Sequence, residues 1–189
     1  MATPVELQTE RLRLRQWCSG DREPFARMSS DPEVMAYFPS LLSREDSDAM
    51  ADRCQALIEL RGWGFWALEA RDGGEFLGFV GLHEPAAELP FSPCVEIGWR
   101  LAREAWGRGY ATEAAGAALD FAFDHLDLAE VVSFTTLENL RSRAVMERLG
   151  MRSSPDENFE HPAVAVGNPL RPHCLYRLDR DDWRRGSAS

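Results

Sequence analysis

Residues 94–126 restrict the fold more than any other part of the chain. "CVEIGWRL" (Cys94–Leu101) has the β-branched, alternating character of a strand, and "ATEAAGAALDFAFDHL" (Ala111–Leu126) is strongly helical in composition. Between them runs "AREAWGRGY", with Gly107 and Gly109 on either side of Arg108. The first amides of a helix have no partner within it, and the helix dipole adds partial positive charge there. Glycines let that backbone approach an anion with no Cβ in the way. Arg108 supplies a fixed charge and Thr112 a hydroxyl, so a phosphate or pyrophosphate suits this helix end. A plain turn made by Gly107 and Gly109 is equally compatible with these residues. A P-loop of the nucleoside-triphosphate type needs Gly-Lys-Ser or Gly-Lys-Thr at the helix start, and the chain has Gly109-Tyr110-Ala111-Thr112. A dinucleotide fingerprint needs a third glycine that neither Thr112 nor Glu113 supplies.

The remaining elements follow from period and punctuation. "LRLRQW" (Leu12–Trp17) alternates as a strand. Helix starts are expected at Asp21 and at Asp31, the latter followed by Pro32 at a first-turn position. Ser43, with Asp46 three residues on and Gly62 at the far end, brackets a further helix. "GFWALEA" and "EFLGFVGLHEP" read as strands joined by a turn at "RDGGE", and "EVVSFTTL" (Glu130–Leu137) reads as a buried strand. "NLRSRAVMERLG" reads as a short helix capped by Asn139 and closed by Gly150, and "HCLYRLD" as a last strand. The charged stretch "DRDDWRR" reads as a solvated strand end. Ala111, Ala115, Ala118 and Ala122 fall near one helical face suited to packing on a sheet. The order predicts a mixed α/β domain around one central sheet.

The 189 residues suit one domain, 1–189, and 44% hydrophobic with 28% charged residues is ordinary for a globular chain. A net charge of −10 argues against nucleic acid, which requires clustered Lys and Arg, and mildly favours a cationic or amine substrate. No apolar run spans a bilayer and the first residues lack a signal-peptide core, so a soluble, cytoplasmic protein with no membrane partner is expected. Cys18, Cys54, Cys94 and Cys174 are too dispersed for a metal site and are expected to be reduced and mostly buried. His83, His125, His161 and His173 are likewise scattered, so no metal is expected.

Four ordered motifs carry a resemblance to the GNAT N-acetyltransferases, and within them to the branch that acetylates ribosomal-protein alanines. They are "TERLRLR" (Thr9–Arg15), Glu96-Ile97-Gly98, "WGRGYATEA" (Trp106–Ala114), and Asn139 with Ser142 followed by "ERLGM". The family's acetyl-CoA loop, Q/R-x-x-G-x-G/A, is met by Gly109 and Ala111, while Trp106 departs from its first position. The resemblance implies an α/β GNAT domain with a central mixed, mostly antiparallel sheet flanked by helices and splayed between its fourth and fifth strands. It implies acetyl-CoA as cosubstrate and no metal. The pantetheine arm would run along Ile97, Gly98, Trp99 and Leu101. The pyrophosphate would lie on Gly107, Arg108, Gly109, Tyr110, Ala111 and Thr112, with Asn139 and Ser142 on the far side of the arm.

Acetyl transfer needs an amine without its extra proton, a donor for the oxyanion, and a proton for the departing thiolate. Glu96 is the first candidate base, and His83 the second. The tyrosine that many family members place seven residues after the asparagine is Met146 here, so Ser142 is the candidate acid. Helix capping would also explain Ser142, and strand alternation would explain Glu96. The implied activity is transfer to a primary amine, a protein N-terminus or a small amine, by direct attack on the thioester. The alternative is a catalytically impaired protein of the same fold that binds or senses CoA. The long "DENFEHPAVAVGNPLRPH" loop offers Glu160, His161, Arg171 and His173 to an acceptor. The chain is expected to work as a monomer or homodimer.

Overall fold

Where the apolar period is 2, the computed structural model, which describes residues 2–187, forms strands. Where the period is 3.6 and capped, it forms helices. The chain packs as two compact units: residues up to Leu82 with Gly98–Ala118, and His83–Ile97 with everything from Leu119 on.

The first unit is built on an antiparallel ladder of β1 (Leu7–Gln8), β2 (Leu12–Arg15), β3 (Phe65–Ala70) and β4 (Phe76–His83, its last residue in the second unit). Leu14 pairs with Leu68, and Trp66 with Val80. Two helices follow β2. The first, α1 (Arg22–Ser29), starts at Asp21 as expected, but the Asp21 carboxylate makes no bond to the first amides of that helix. It takes two hydrogen bonds from the Arg15 guanidinium, at 2.7 and 2.8 Å, and one from the Cys18 amide at 2.8 Å. The second, α2 (Arg44–Arg61), has the cap its sequence promises: the Asp46 amide donates to Ser43 Oγ, and Gly62 closes the helix in the left-handed conformation. The helix expected from Asp31 does not form. The Asp31 side chain accepts from the Glu33 and Val34 amides as a cap should, but only turns follow. Pro39 stands eight residues on and leaves the nucleated turn too short a run to propagate. Trp17, Phe25 and Phe79 cluster in the core with the half-buried Phe76 against them, the Trp17 and Phe25 rings 5.0 Å apart.

The second unit centres on β6 (Glu130–Thr136) and β9 (Pro172–Asp179), antiparallel over seven register pairs from Glu130↔Asp179 to Thr136↔His173. Two short strands that periodicity does not reveal, β7 (Arg152–Ser153) and β8 (Phe159–Glu160), also pair with β9. Helix α4 (Leu140–Arg148) opens at Asn139, and α5 (Arg180–Ser187) corrects the reading of "DRDDWRR" as a strand end. Asp181 and Asp182 fall in its first turn and Arg184 and Arg185 in its last, as the helix dipole favours. Trp183 anchors it by donating to Asp120 at 2.8 Å.

Strand β5 (Glu96–Leu101) and helix α3 (Tyr110–Asp124) run through both units. β5 begins two residues later than the sequence implies. Along the hydrogen bonds the strand order is β1-β2-β3-β4-β5-β6-β9-β7, with β8 on β9. The β5–β6 pair, fourth and fifth in the expected count, is parallel and confined to the single register pair Glu96↔Val132. The sheet is therefore mixed and mostly antiparallel, as the resemblance implies. Of the expected alanine face of α3, Ala115, Ala118 and Ala122 have no exposed surface, while Ala111 in the first turn is half-buried and Ala114 is buried in addition. Among the described residues no helix is long and apolar enough to cross a membrane.

Candidate cofactor loop and catalytic residues

In the first unit, β5 ends at Leu101 and the chain turns through Arg103–Ala105 to the glycine loop. Trp106, the departure from the family pattern, fixes the loop to the strand end by donating its indole N–H to the Leu101 carbonyl at 3.0 Å. Gly107 and Gly109 have φ of +73° and +77°, a region in which a side chain is strained. A Cβ on Gly107 would meet nothing within 4 Å, so the backbone there faces open space. The first bond of α3 runs from the Glu113 amide to the Gly109 carbonyl, 3.0 Å. Among the described residues, none of the amides from Gly107 to Thr112 donates to a protein acceptor. Arg108 is exposed, and Tyr110, Ala111 and Thr112 are half-buried. Six successive amides at a helix N-terminus with an exposed arginine form a cradle for an anion.

The motif at Thr9–Arg15 has a structural role that the sequence does not disclose. The Thr9 hydroxyl and the Arg11 amide both donate to Glu113 Oε1, at 2.5 and 2.9 Å, and Arg11 Nε donates to Oε2 at 2.6 Å. Arg11 Nη1 reaches the Arg108 carbonyl at 2.9 Å, and its guanidinium lies 4.8 Å from the centre of the Tyr110 ring. Burial opposes the Glu113 charge, but these hydrogen bonds outweigh it and hold the carboxyl below its usual range. The one acid in the first turn of α3 is thus matched by Arg11. Gly98 and Trp99 are half-buried on β5, and Leu101 is buried.

In the second unit, Glu96 opens β5 opposite Val132. Its side chain is half-buried, and among the described residues no donor or cation reaches its carboxylate. Burial alone pushes it up to about 8. Ile97 is fully buried, and its carbonyl accepts from Ser133 Oγ at 2.8 Å. His83 is half-buried at the end of β4. Asn139 is engaged at both ends of its amide: Oδ1 accepts from the Ser142 amide at 3.3 Å and Nδ2 donates to Thr135 Oγ1 at 2.9 Å. Asn139 is therefore the cap of α4, and Ser142 shares in that cap through its backbone, which leaves its half-buried hydroxyl unbonded among the described residues. Met146, at the position where the resemblance implies a tyrosine, is 1% exposed and a core residue. Tyr176, on β9, holds its hydroxyl between Arg143 Nε (3.3 Å) and Glu147 (3.0 Å).

The acceptor-loop candidates also come together within this unit. Glu160 pairs with Arg171 at 2.9 Å, and the rings of His161 and His173 lie 4.9 Å apart beside Phe134 and Phe159. Burial depresses both imidazoles, most simply for His161, where Arg171 adds to the effect. Thr136 Oγ1 is buried without a partner, a hydroxyl that sequence reasoning passed over. All four cysteines are free, but only Cys54 and Cys174 are buried; Cys94 is half-buried and Cys18 exposed.

A mixed sheet whose strand delivers an unpaired-amide loop to a helix N-terminus makes an α/β protein with an anion cradle. The family model described as acetyltransferase (GNAT) domain matches residues 11–152, and the chain belongs to the GNAT acetyltransferases. It is 32% identical over 169 residues to the uncharacterized protein YkkB of Bacillus subtilis, covering 88% of this chain and 96% of that one. It is 34% identical over 188 residues to the FsC-acetyl coenzyme A-N(2)-transacetylase of Aspergillus fumigatus, covering 95% of this chain and 78% of that one. The fold matches that of a GNAT-family acetyltransferase from Bacillus anthracis with a TM-score of 0.77 and 24% identity, over 94% of this chain and 99% of that one. The protein is an acetyltransferase, an enzyme class that draws its acetyl group from acetyl-CoA.

Proposed function

We propose that the enzyme acetylates a primary amine, a protein N-terminus or a small amine, by direct attack on acetyl-CoA. The observation that carries this reading is the run of unpaired amides from Gly107 to Thr112 beside Arg108. They would hold the CoA pyrophosphate, and the backbone of β5 from Ile97 to Leu101 would hold the pantetheine arm. Asn139 would support that arm indirectly, through the α4 cap.

Glu96 is the proposed base. Acting through water, it takes a proton from the ammonium form of the acceptor, which frees the nitrogen lone pair. The nitrogen attacks the thioester carbon and the carbonyl becomes an oxyanion. When the C–S bond breaks, the sulfur keeps the electron pair and takes a proton from the Ser142 hydroxyl, which takes one from solvent in the same step, giving free CoA and a neutral serine. The nitrogen loses its second proton to solvent as the amide forms. His83 is held as the alternative base. The name of the Aspergillus relative, which specifies an N(2) transfer, supports a small amine among the acceptors.

The buried Met146 favours one competing reading, a CoA-binding protein without turnover. A thermal melt with acetyl-CoA, ATP and NAD in parallel, followed by an amine screen read by mass, separates the outcomes. At about a hundred times Kd the stabilisation is about 2.7 kcal/mol, roughly 5–10 °C for a chain of this size. The expected result is a shift from acetyl-CoA alone that Gly109→Glu abolishes, with acetylated amine as product. A shift without product would favour the binding protein, and no shift would overturn the proposal.

A further inference from the structure

Arg100 lies on β5 in the first unit and is only 8% exposed. An arginine this buried is ordinarily paired with a carboxylate, because desolvating a lone charge is unfavourable. Here, among the described residues, no carboxylate lies within ion-pair distance and no oxygen accepts from the guanidinium. Its nearest polar contact is the Met50 sulfur, 4.0 Å from Nη1, and its Nε is buried with no partner at all. The faces of the group are apolar: the Phe38 ring centre lies 4.2 Å from it and the Phe79 ring centre 5.3 Å. The titratable neighbour is Cys54, and burial pushes that thiol up to about 11, so it supplies no counter-charge at neutral pH. Burial draws Arg100 down to about 10, which leaves it charged.

A second unpaired polar group lies on the helix that meets it. Ser47 is fully buried and its hydroxyl bonds to nothing. Ser47, Met50 and Cys54 recur at i, i+3 and i+7, one stripe of α2. Phe38, which lies against the Arg100 guanidinium, is 38% exposed.

We propose that Arg100 binds a carboxylate of the acceptor, so that the amine this enzyme acetylates is an amino-carboxylate. The aromatic contacts leave the guanidinium N–H groups unused by any oxygen, and two of them along one edge present the paired donors a carboxylate accepts in one plane. A single negative charge balances a single buried arginine, whereas a phosphate dianion would leave one charge buried and unmatched. Ser47 adds a hydroxyl donor. The inference rests on the acetyl-transfer reading for the amine half of its ligand, but the carboxylate half stands on the first unit alone.

The test compares wild type with Arg100→Met and Arg100→Lys. Without ligand, Arg100→Met is expected to melt at or above wild type, since it removes an unpaired buried charge at similar volume. Succinate is expected to raise the wild-type melting temperature and leave Arg100→Met unmoved. With acetyl-CoA saturating, amino acids, their carboxamides, and peptides with N-terminal Asp or Glu are compared as acceptors. Free amino acids as the preferred acceptors would place the α-carboxylate at Arg100, and the acidic peptides would place a side chain there. In either case Arg100→Met raises KM for the carboxylate acceptor at least tenfold with kcat nearly unchanged. Arg100→Lys restores part of that loss, and the carboxamide is unaffected.

Equal use of acids and amides by wild type overturns the inference while leaving acetyl transfer intact. So does an Arg100→Met variant that melts lower but keeps its selectivity. If no amine is acetylated, the proposed function fails and the succinate melt alone decides: a wild-type shift lost in Arg100→Met sustains the site, and no shift removes it.

Discussion

Glu96 carries a pH dependence that follows from burial. Its carboxyl is raised to about 8, so at pH 7 only about a tenth of it is ionised. If it is the base, kcat/KM rises with pH through an inflection near 8, and Glu96→Gln lowers the plateau by about 100-fold or more. The stability effect has a definite sign. An unfolded glutamate ionises near 4.3, while the folded one keeps its proton to about 8, so stability is lost between those values as pH rises. Melts of Glu96→Gln should therefore coincide with wild type near pH 4 and run progressively above it towards pH 8. A flat difference across that range would show that the carboxylate is not desolvated. The other residues of the chemistry are quieter. Ser142 holds its helix through its backbone, so its hydroxyl is left available to the proposed proton transfer.

At the scale of elements, the first turn of α3 depends on a segment about a hundred residues earlier in the chain. Glu113→Gln keeps the shape of the side chain but removes the charge that Thr9 and Arg11 are bonded to. The expected loss is about 1.5–3 kcal/mol in a urea melt, together with weaker acetyl-CoA binding measured by calorimetry, because Arg11 also holds the Arg108 carbonyl. Unchanged affinity would separate the clamp from the loop. The helices and long strands were legible because their caps and periods are local: Ser43 and Gly62 frame α2, and Asn139 opens α4. Three things were not. Asp31 has a true cap, but the run behind it is too short to propagate. α5 is almost all charge and becomes a helix through docking, by Trp183 on Asp120 and Arg184 on Asp124. β7 and β8 are two residues each and exist by pairing with β9, which no local pattern encodes. Within the site, the loop could be found from its glycines. The Glu113 clamp and the unpaired Arg100 could not, since each is defined by partners present or absent in space.

For the whole molecule, the net charge of −10 opposes the approach of a polyanionic cosubstrate and favours a cationic one. Association of acetyl-CoA should accelerate severalfold as salt is raised from about 10 to 150 mM, while the Debye length shrinks from about 30 to 8 Å. Stopped-flow quenching of tryptophan fluorescence would measure it. A rate that falls with salt would mean that Arg108 and the α3 terminus govern the encounter instead. The clamp at Thr9 and Arg11 has a practical consequence for anyone shortening this chain. The family match begins at residue 11, and a protein cut at that boundary would discard Thr9 and leave Arg11 as a frayed first residue. Shortened at its start alone, the domain would lose β1 and the brace behind its cofactor loop while keeping the later strands and the helices. A start drawn by similarity alone would then weaken acetyl-CoA binding.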